Sequence, residues 1–281
     1  MVIIRLWGGI GNQLFQYSFG EYLRKITQQE IQYDISSFGK VELLRKYELA
    51  ILNKNLPIVE NILFSKHSGI FNRIYRFLFC LKKGNAFISE PNLDTFSFDS
   101  NKCYYLQGYW QDITFVESQS FSFFSPKEQL PPKLENILNE INACKNATSI
   151  HVRRGDYFHP KNIKKYGICN VDYYNQAINE ILNVCSDTRF FIFSDDLNWV
   201  QNNLLLPPDS FLVPNYDINS YWYIYLMSHC NHNIISNSTF SWWGAWLNRN
   251  INKKVITPRI WYQGTLNNEI EVLIPTSWTK L

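Results

Sequence analysis

The sharpest chemistry in the chain lies in His151-Val152-Arg153-Arg154-Gly155-Asp156-Tyr157. Residues 148–152 read as a strand, so this segment stands at a strand end, where parallel sheets present ligand-binding groups. On an extended backbone residues two apart share a face, which aims His151 and Arg153 one way and Val152 and Arg154 the other. Two adjacent guanidiniums there can neutralise a diphosphate through charge-assisted hydrogen bonds worth roughly 1.5–3 kcal/mol each. The plainer alternatives are a structural Arg–Asp ion-pair cluster and, for His151, a packed core histidine.

Phe193-Ser194-Asp195-Asp196 closes the next strand. Its paired acids suit either Mg²⁺ or the donor edge of a guanine, and Asp196 is also placed to cap the helix expected over 197–204. We therefore expect Asp196 to cap and Asp195 to face the ligand. Ser236-Asn237-Ser238-Thr239-Phe240-Ser241 joins a strand to a helix through hydroxyls that, with first-turn N–H groups, can grip phosphate oxygens. Capping by Ser238 or Thr239 is compatible with that role. Gly8-Gly9-Ile10-Gly11-Asn12-Gln13 also follows a strand and opens a helix. It departs from a dinucleotide fingerprint because Leu14 occupies the third glycine position, and no Gly-Lys-Ser/Thr follows. A tight turn for close packing is its other reading. His229-Cys230-Asn231-His232 lacks the further ligands of a metal site, and the six cysteines contain no C-x-x-C pair, so no metal is expected.

The elements that must position these groups alternate regularly. A strand over 1–6, a helix over 14–26 and a strand over 31–35 make a βαβ opening, and strands over 87–89 and 103–107 follow. Prolines from Pro126 to Pro132 form the best break. Beyond it, strands over 148–152, 190–193, 211–213, 233–235 and 254–256 alternate with helices over 133–144, 172–184, 197–204, 220–229 and 239–248. Two such series predict two Rossmann-like domains, 1–132 and 133–281, facing across a cleft.

With 281 residues, 46% of them apolar and only 18% charged, the chain is globular rather than disordered or fibrous. A net charge of +3 is too small a surplus to make nucleic acid a main partner. The first residues run from Met1 straight into Val2-Ile3-Ile4, from which we expect an intracellular, cytoplasmic protein. Residues 64–83 mix Phe71, Ile74, Tyr75, Phe77, Leu78 and Leu81 with Lys66, Arg73, Arg76, Lys82 and Lys83, and contain no acid. They predict a basic amphipathic helix suited either to a solvated basic face or to peripheral attachment on an anionic inner membrane carrying lipid-linked acceptors.

Taken together and in order, Gly-Gly-Ile-Gly-Asn-Gln-Leu-Phe-Gln-Tyr, the His151–Tyr157 segment, Phe193-Ser194-Asp195-Asp196 and Ser-Thr-Phe-Ser-Trp-Trp-Gly-Ala-Trp resemble the bacterial α-1,2-fucosyltransferases of glycosyltransferase family 11. Tyr109-Trp110-Gln111 looks like the family's Gly-Tyr-aromatic-Gln segment. Leu14 stands where methionine is common, and Tyr166 where a histidine is expected. The resemblance implies a GT-B-type α/β enzyme that transfers L-fucose from GDP-β-L-fucose with inversion, usually to the 2-hydroxyl of a galactoside. The acceptor would be a galactose-terminated oligosaccharide or a lipid-linked glycan, bound on the N-terminal side, with GDP-fucose on the C-terminal domain. By the same resemblance Arg153 contacts the diphosphate and Asp195 the guanine. Thr239, Phe240 and Ser241 would meet the nucleotide, and Asn12 approach from the other domain.

A single displacement fits this chemistry, with Arg153, Arg154 and the hydroxyl-rich helix start stabilising the departing phosphate without cofactor or metal. Asp156 is the expected general base, and His151 its alternative. Rival readings are a fucosyltransferase of another linkage, of the O- or α-1,6-type, and a non-catalytic nucleotide- or glycan-binding protein.

Overall fold

The computed structural model describes residues 1–82, 84–90, 98–99, 101–155, 166–264, 267, 270 and 272–281. Two compact units divide between Glu128 and Gln129, inside the proline-bounded stretch.

The first unit holds β1 (Val2–Arg5), α1 (Ile10–Thr27), β2 (Ile31–Asp34), β3 (Ile58–Val59), α2 (Gly69–Leu81), β4 (Asn85–Ser89), β5 (Cys103–Gln107) and α3 (Ile113–Glu117). Among the described residues its sheet runs β3-β2-β1-β5-β4, all parallel. β1 is buried along its whole length, as expected of a central parallel strand covered on both faces. The expected strand–helix–strand opening is present, with β1 paired to β2 from Val2↔Ile31 to Arg5↔Asp34. Helix α1 turns Leu14, Phe15, Phe19 and Leu23 into the core. Beneath α2, Ile3, Phe64 and Tyr105 form a smaller apolar cluster, and the Tyr105 hydroxyl donates to the buried Asp34 carboxylate at 2.5 Å.

The second unit holds α4 (Pro132–Ala143), β6 (Ala147–Val152), α5 (Val171–Val184), β7 (Arg189–Ser194), α6 (Leu197–Asn203) and β8 (Phe211–Leu212). It continues with α7 (Tyr221–Ser228), β9 (His232–Ile234), α8 (Thr239–Leu247), β10 (Val255–Thr257) and β11 (Thr279–Lys280). Among the described residues the strand order is β11-β10-β9-β6-β7-β8, again parallel throughout. Counted from β6 as first strand this is the 3-2-1-4-5-6 order of a nucleotide-binding sheet, with the reversal between β6 and β9. The core joins Ile150, Val152, Phe190 and Ile192 to Tyr174, Ala177, Ile178 and Ile181 of α5.

Trp242 and Trp243 of α8 are fully buried, and the Trp242 indole donates to Leu273 O at 2.9 Å. Gly244 between them and Trp246 lets α8 approach α7, since a Cβ there would lie 2.8 Å from Met227 Cβ. All six cysteines are free.

Candidate active site

The expected site residues of the second unit that lie among the described residues stand where its strand order reverses, at the carboxyl ends of β6, β7 and β9. His151, the penultimate residue of β6, is 5% exposed, and its Nδ1 lies 2.8 Å from Ser236 Oγ just beyond β9. That bond joins the ends of the paired strands β6 and β9. Phe240 packs against the imidazole at 5.2 Å between ring centroids. Burial, with the neighbouring Arg153 charge adding to it, pushes the His151 pKa down to about 3. The ring is therefore neutral at physiological pH.

Beyond it the chain turns its two arginines to different partners. Arg153 Nη1 meets Asp195 Oδ2 at 2.9 Å, while the Arg154 backbone N–H donates to Asp195 Oδ1 at 2.9 Å. The Arg154 guanidinium lies 3.8 Å above the Trp199 ring, with Nε 3.8 Å from Asp196 Oδ2. Desolvation lowers the Arg154 pKa from its ordinary value. Arg153 is thus held by a carboxylate at the sheet edge, and Arg154 is laid over an aromatic face of α6.

Asp196 caps α6, its Oδ1 accepting from Trp199 N at 3.0 Å, as expected. Gly155 has a packing reason: a Cβ there would come within 2.6 Å of Asp195 Oδ2 and push the carboxylate aside. Asp156 lies outside the described residues.

The loop from β9 to α8 sorts its hydroxyls. Ser238 is the N-cap residue and accepts from Phe240 N at 3.4 Å. The Ser241 side chain, expected against the nucleotide, is instead fully buried, its hydroxyl 3.3 Å from Ser238 O and 3.5 Å from Ser236 Oγ. The helical turn points position 241 inward, leaving Thr239 and Phe240 as the half-buried side chains of the helix start. Asn237 donates to Gly167 O at 2.6 Å and Trp261 O at 3.0 Å, tying neighbouring loops to this edge. This role of Asn237 is not legible in the sequence, because both of its acceptors are distant backbone carbonyls.

In the first unit the strand order reverses between β1 and β5, and there the Trp7 and Tyr109 rings stack at 4.4 Å with planes 7° apart. Gln111 Nε2 donates to Asn12 Oδ1 at 3.1 Å, so the glycine turn and the Gly-Tyr-Trp-Gln segment meet. Gly8 carries φ +77°, and a Cβ would lie 2.8 Å from Asn12 Nδ2, which explains glycine there. Trp110 adopts φ 54°, a left-handed conformation that a bulky residue rarely takes, while Glu90 accepts from Tyr109 N at 2.7 Å and Trp110 N at 2.9 Å. Buried Gln13 and Gln16 brace the turn: Gln13 donates to Gly8 O at 2.9 Å and Lys46 O at 2.8 Å, and Gln16 accepts from Trp7 N at 3.0 Å. Their glutamine type in an otherwise apolar helix face was the signal available in the sequence.

Among the described residues no group of three or more His, Cys, Asp or Glu converges, and His229, Cys230 and His232 do not form a cluster. The His232 ring accepts from Lys254 N at 3.0 Å, and the His229 Nδ1 lies 2.8 Å from Tyr225 O.

The family model for Glycosyl transferase family 11 matches residues 47–280. The chain belongs to glycosyltransferase family 11. Within the family it is similar to the O-antigen biosynthesis glycosyltransferase WbnK of Escherichia coli, 33% identical over 98% of this chain and 99% of WbnK. It is also similar to an α-1,2-colitosyltransferase of Escherichia coli, 28% identical over 100% of this chain and 99% of that enzyme. The fold of this family 11 member matches the fucosyltransferase NodZ from Bradyrhizobium at TM-score 0.53, with 14% identity over 86% of this chain and 91% of NodZ. A crystal of the α-1,6-fucosyltransferase NodZ grown with GDP matches at TM-score 0.51, with 12% identity over 88% of this chain and 92% of NodZ. The α/β parallel-sheet architecture is thus that of the GT-B-like fucosyltransferases.

Proposed function

We propose that this glycosyltransferase moves L-fucose from GDP-β-L-fucose to the 2-hydroxyl of a galactoside, inverting the anomeric centre to give an α-1,2-fucosyl product. The observation that carries the reading is Arg153 held by Asp195 at 2.9 Å beside the topological reversal of a nucleotide-binding sheet. GDP in the NodZ crystal and the α-1,2 linkage named for the colitosyltransferase support it from outside the chain.

In the proposed reaction the acceptor oxygen attacks the anomeric carbon as the bond from that carbon to the β-phosphate oxygen breaks. GDP departs with the bonding electrons, and the acceptor proton passes to a base. Arg153 stabilises charge developing on the β-phosphate, and the α8 start offers Thr239 and its first-turn N–H groups to the same anion. Asp195 keeps Arg153 in place and retains lone pairs for a donor on the guanine. Ser238 and Ser241 shape the loop from within. His151 is a positioning residue here, a neutral ring that bridges β6 and β9 beside the guanidinium. Asp156, next in sequence to the arginine turn, is the proposed base. These groups supply leaving-group stabilisation without calling on a metal.

The first-unit reversal, with Trp7 stacked on Tyr109 and Asn12 bonded to Gln111, is the proposed acceptor side, where a sugar face can lie on an aromatic ring. The colitosyltransferase relative favours one further donor, GDP-colitose. The test is turnover of GDP-fucose and GDP-colitose against a panel of galactosides in excess EDTA, with product linkage assigned by NMR. An α-1,2-fucosylated galactoside formed in chelator is the expected result. An α-1,6 or peptide-linked product, preference for GDP-colitose, or activity restored only by added Mn²⁺ or Mg²⁺ would each replace the corresponding part of the reading.

A further inference from the structure

Helix α2 is apolar over two adjoining sectors, and only one of them meets the protein. Its inward side places Tyr75 and Phe79 against the cluster of Ile3, Phe64 and Tyr105. On the outward side Ile70, Phe71, Ile74, Phe77, Leu78 and Leu81 are 45–63% exposed. At about 100° per residue these six occupy one arc of roughly 120°, and Tyr75 and Phe79 follow next to it around the helix. A contiguous apolar stripe of this kind marks an interaction surface rather than ordinary surface scatter.

Charge identifies what covers it. By the same spacing Arg73 and Lys82 flank the two edges of the stripe, Arg76 lies on the far side of the helix, and residues 64–83 contain no Asp or Glu. Arg73 and Lys82 are exposed, while Arg76 also lies 4.7 Å over the Phe87 ring. A second copy of the chain seated on this stripe would oppose its cations to an identical set with no local acid to pair them. An anionic bilayer supplies both complements at once, acyl chains for Phe and Leu and phosphate headgroups for Lys and Arg. Among the described residues no helix is long and apolar enough to cross a membrane, so the contact is interfacial. We infer that α2 lies in the plane of an anionic lipid surface, with its outward stripe in the headgroup–acyl boundary and its inward side anchored to the first unit. This inference does not depend on which sugar the enzyme transfers.

The experiment is flotation of the full chain with vesicles of phosphatidylcholine alone and of phosphatidylcholine with 30% phosphatidylglycerol, at low and high salt. Binding to the anionic vesicles is expected, weakening several-fold at high salt. Arg73→Gln with Lys82→Gln should weaken it about 25-fold, or about fivefold per cation. Phe71→Ser with Phe77→Ser should abolish it while leaving the circular dichroism melt unchanged, since neither ring packs inward. Equal recovery with and without phosphatidylglycerol, or parental binding by both double variants, would overturn the inference. So would a dimer in solution that the Phe71→Ser, Phe77→Ser variant loses while vesicles capture neither protein.

Discussion

Asp195 divides its two carboxylate oxygens between neighbours in sequence, one on the Arg153 guanidinium and one on the Arg154 backbone N–H, each at 2.9 Å. A carboxylate held this way fixes both the chain path and the direction of one cation. Arg153→Ala should therefore lower turnover by on the order of 10²-fold or more and weaken GDP binding. Asp195→Asn should lower it less. If Asp195 acts only through Arg153, the double variant will be no worse than Arg153→Ala, whereas a direct guanine contact will make the two losses multiply. Kinetics and calorimetry with GDP on the three variants measure this. Arg154→Ala should cost less than Arg153→Ala, because its guanidinium is already laid over Trp199 at 3.8 Å.

The absent side chain of Gly155 gives a more selective test of the same contact. Alanine would bring a methyl within 2.6 Å of Asp195 Oδ2. Since that oxygen is the end of a side chain, the carboxylate swings away and the fold survives. Gly155→Ala should therefore melt within a few degrees of the parent but bind GDP about tenfold more weakly, the loss of one charge-assisted contact. Normal GDP affinity would show that Arg153 is held by other means.

Much of this arrangement is legible in the sequence. β7 reads as a strand because both faces are covered, so its apolar run is nearly continuous, β6 reads as one through β-branched Thr148, Ile150 and Val152 at alternate positions, and α5 shows the helical period between them. The Asp196 cap was legible because capping is local. β3 and β11 were not, being two-residue edge pieces defined by pairing with Tyr33–Asp34 and Ile256–Thr257 rather than by their own pattern. The Arg153–Asp195 contact joins two strand ends and emerges only once β6 and β7 pair from Ala147↔Arg189 to Val152↔Ser194. For α2 the period is visible in the sequence, but which apolar side meets the core depends on Phe64 and Tyr105, which come from other elements.

Burial of His151 has a sign that can be measured. Its pKa falls from an unfolded value near 6.5 to about 3 in the fold. Between those values the unfolded chain carries a proton that the native ring does not, so stability from this group falls as pH drops from 6.5 toward 3 and is unaffected above 6.5. The stability advantage of the parent over His151→Gln should shrink across that window by at most about 1.4 kcal/mol per pH unit. Denaturant melts from pH 7 to pH 4 provide the comparison. A constant difference would mean that the ring is protonated in the native state.

Tyr109 stacks on Trp7 with planes 7° apart, and its backbone is pinned by Glu90, so the aromatic pair is rigid before any ligand arrives. If a sugar face lies on it, Tyr109→Ala should raise the acceptor KM about 5- to 10-fold, in keeping with an aromatic contact of about 1–1.5 kcal/mol. GDP affinity should be unchanged. A loss of GDP affinity with an unaltered acceptor KM would move the acceptor elsewhere.

The proton of the acceptor hydroxyl is the remaining requirement. His151 is a poor recipient, because a ring whose pKa is about 3 holds a proton weakly and its Nδ1 is already engaged with Ser236 at 2.8 Å. Asp156 follows the arginine turn directly and is the carboxylate next in line. As the base, it must be ionised for turnover, which gives kcat an acidic limb, and Asp156→Asn should lower kcat by about 10²- to 10⁴-fold and erase that limb. GDP affinity should stay near the parental value, since the step lost is proton transfer and not donor binding. If Asp156 instead orients Arg153 or Arg154, GDP affinity will fall together with kcat and the acidic limb will remain. Near-normal kcat with an intact limb would exclude both roles, and the pH profile of His151→Gln would then decide whether the imidazole serves despite its burial.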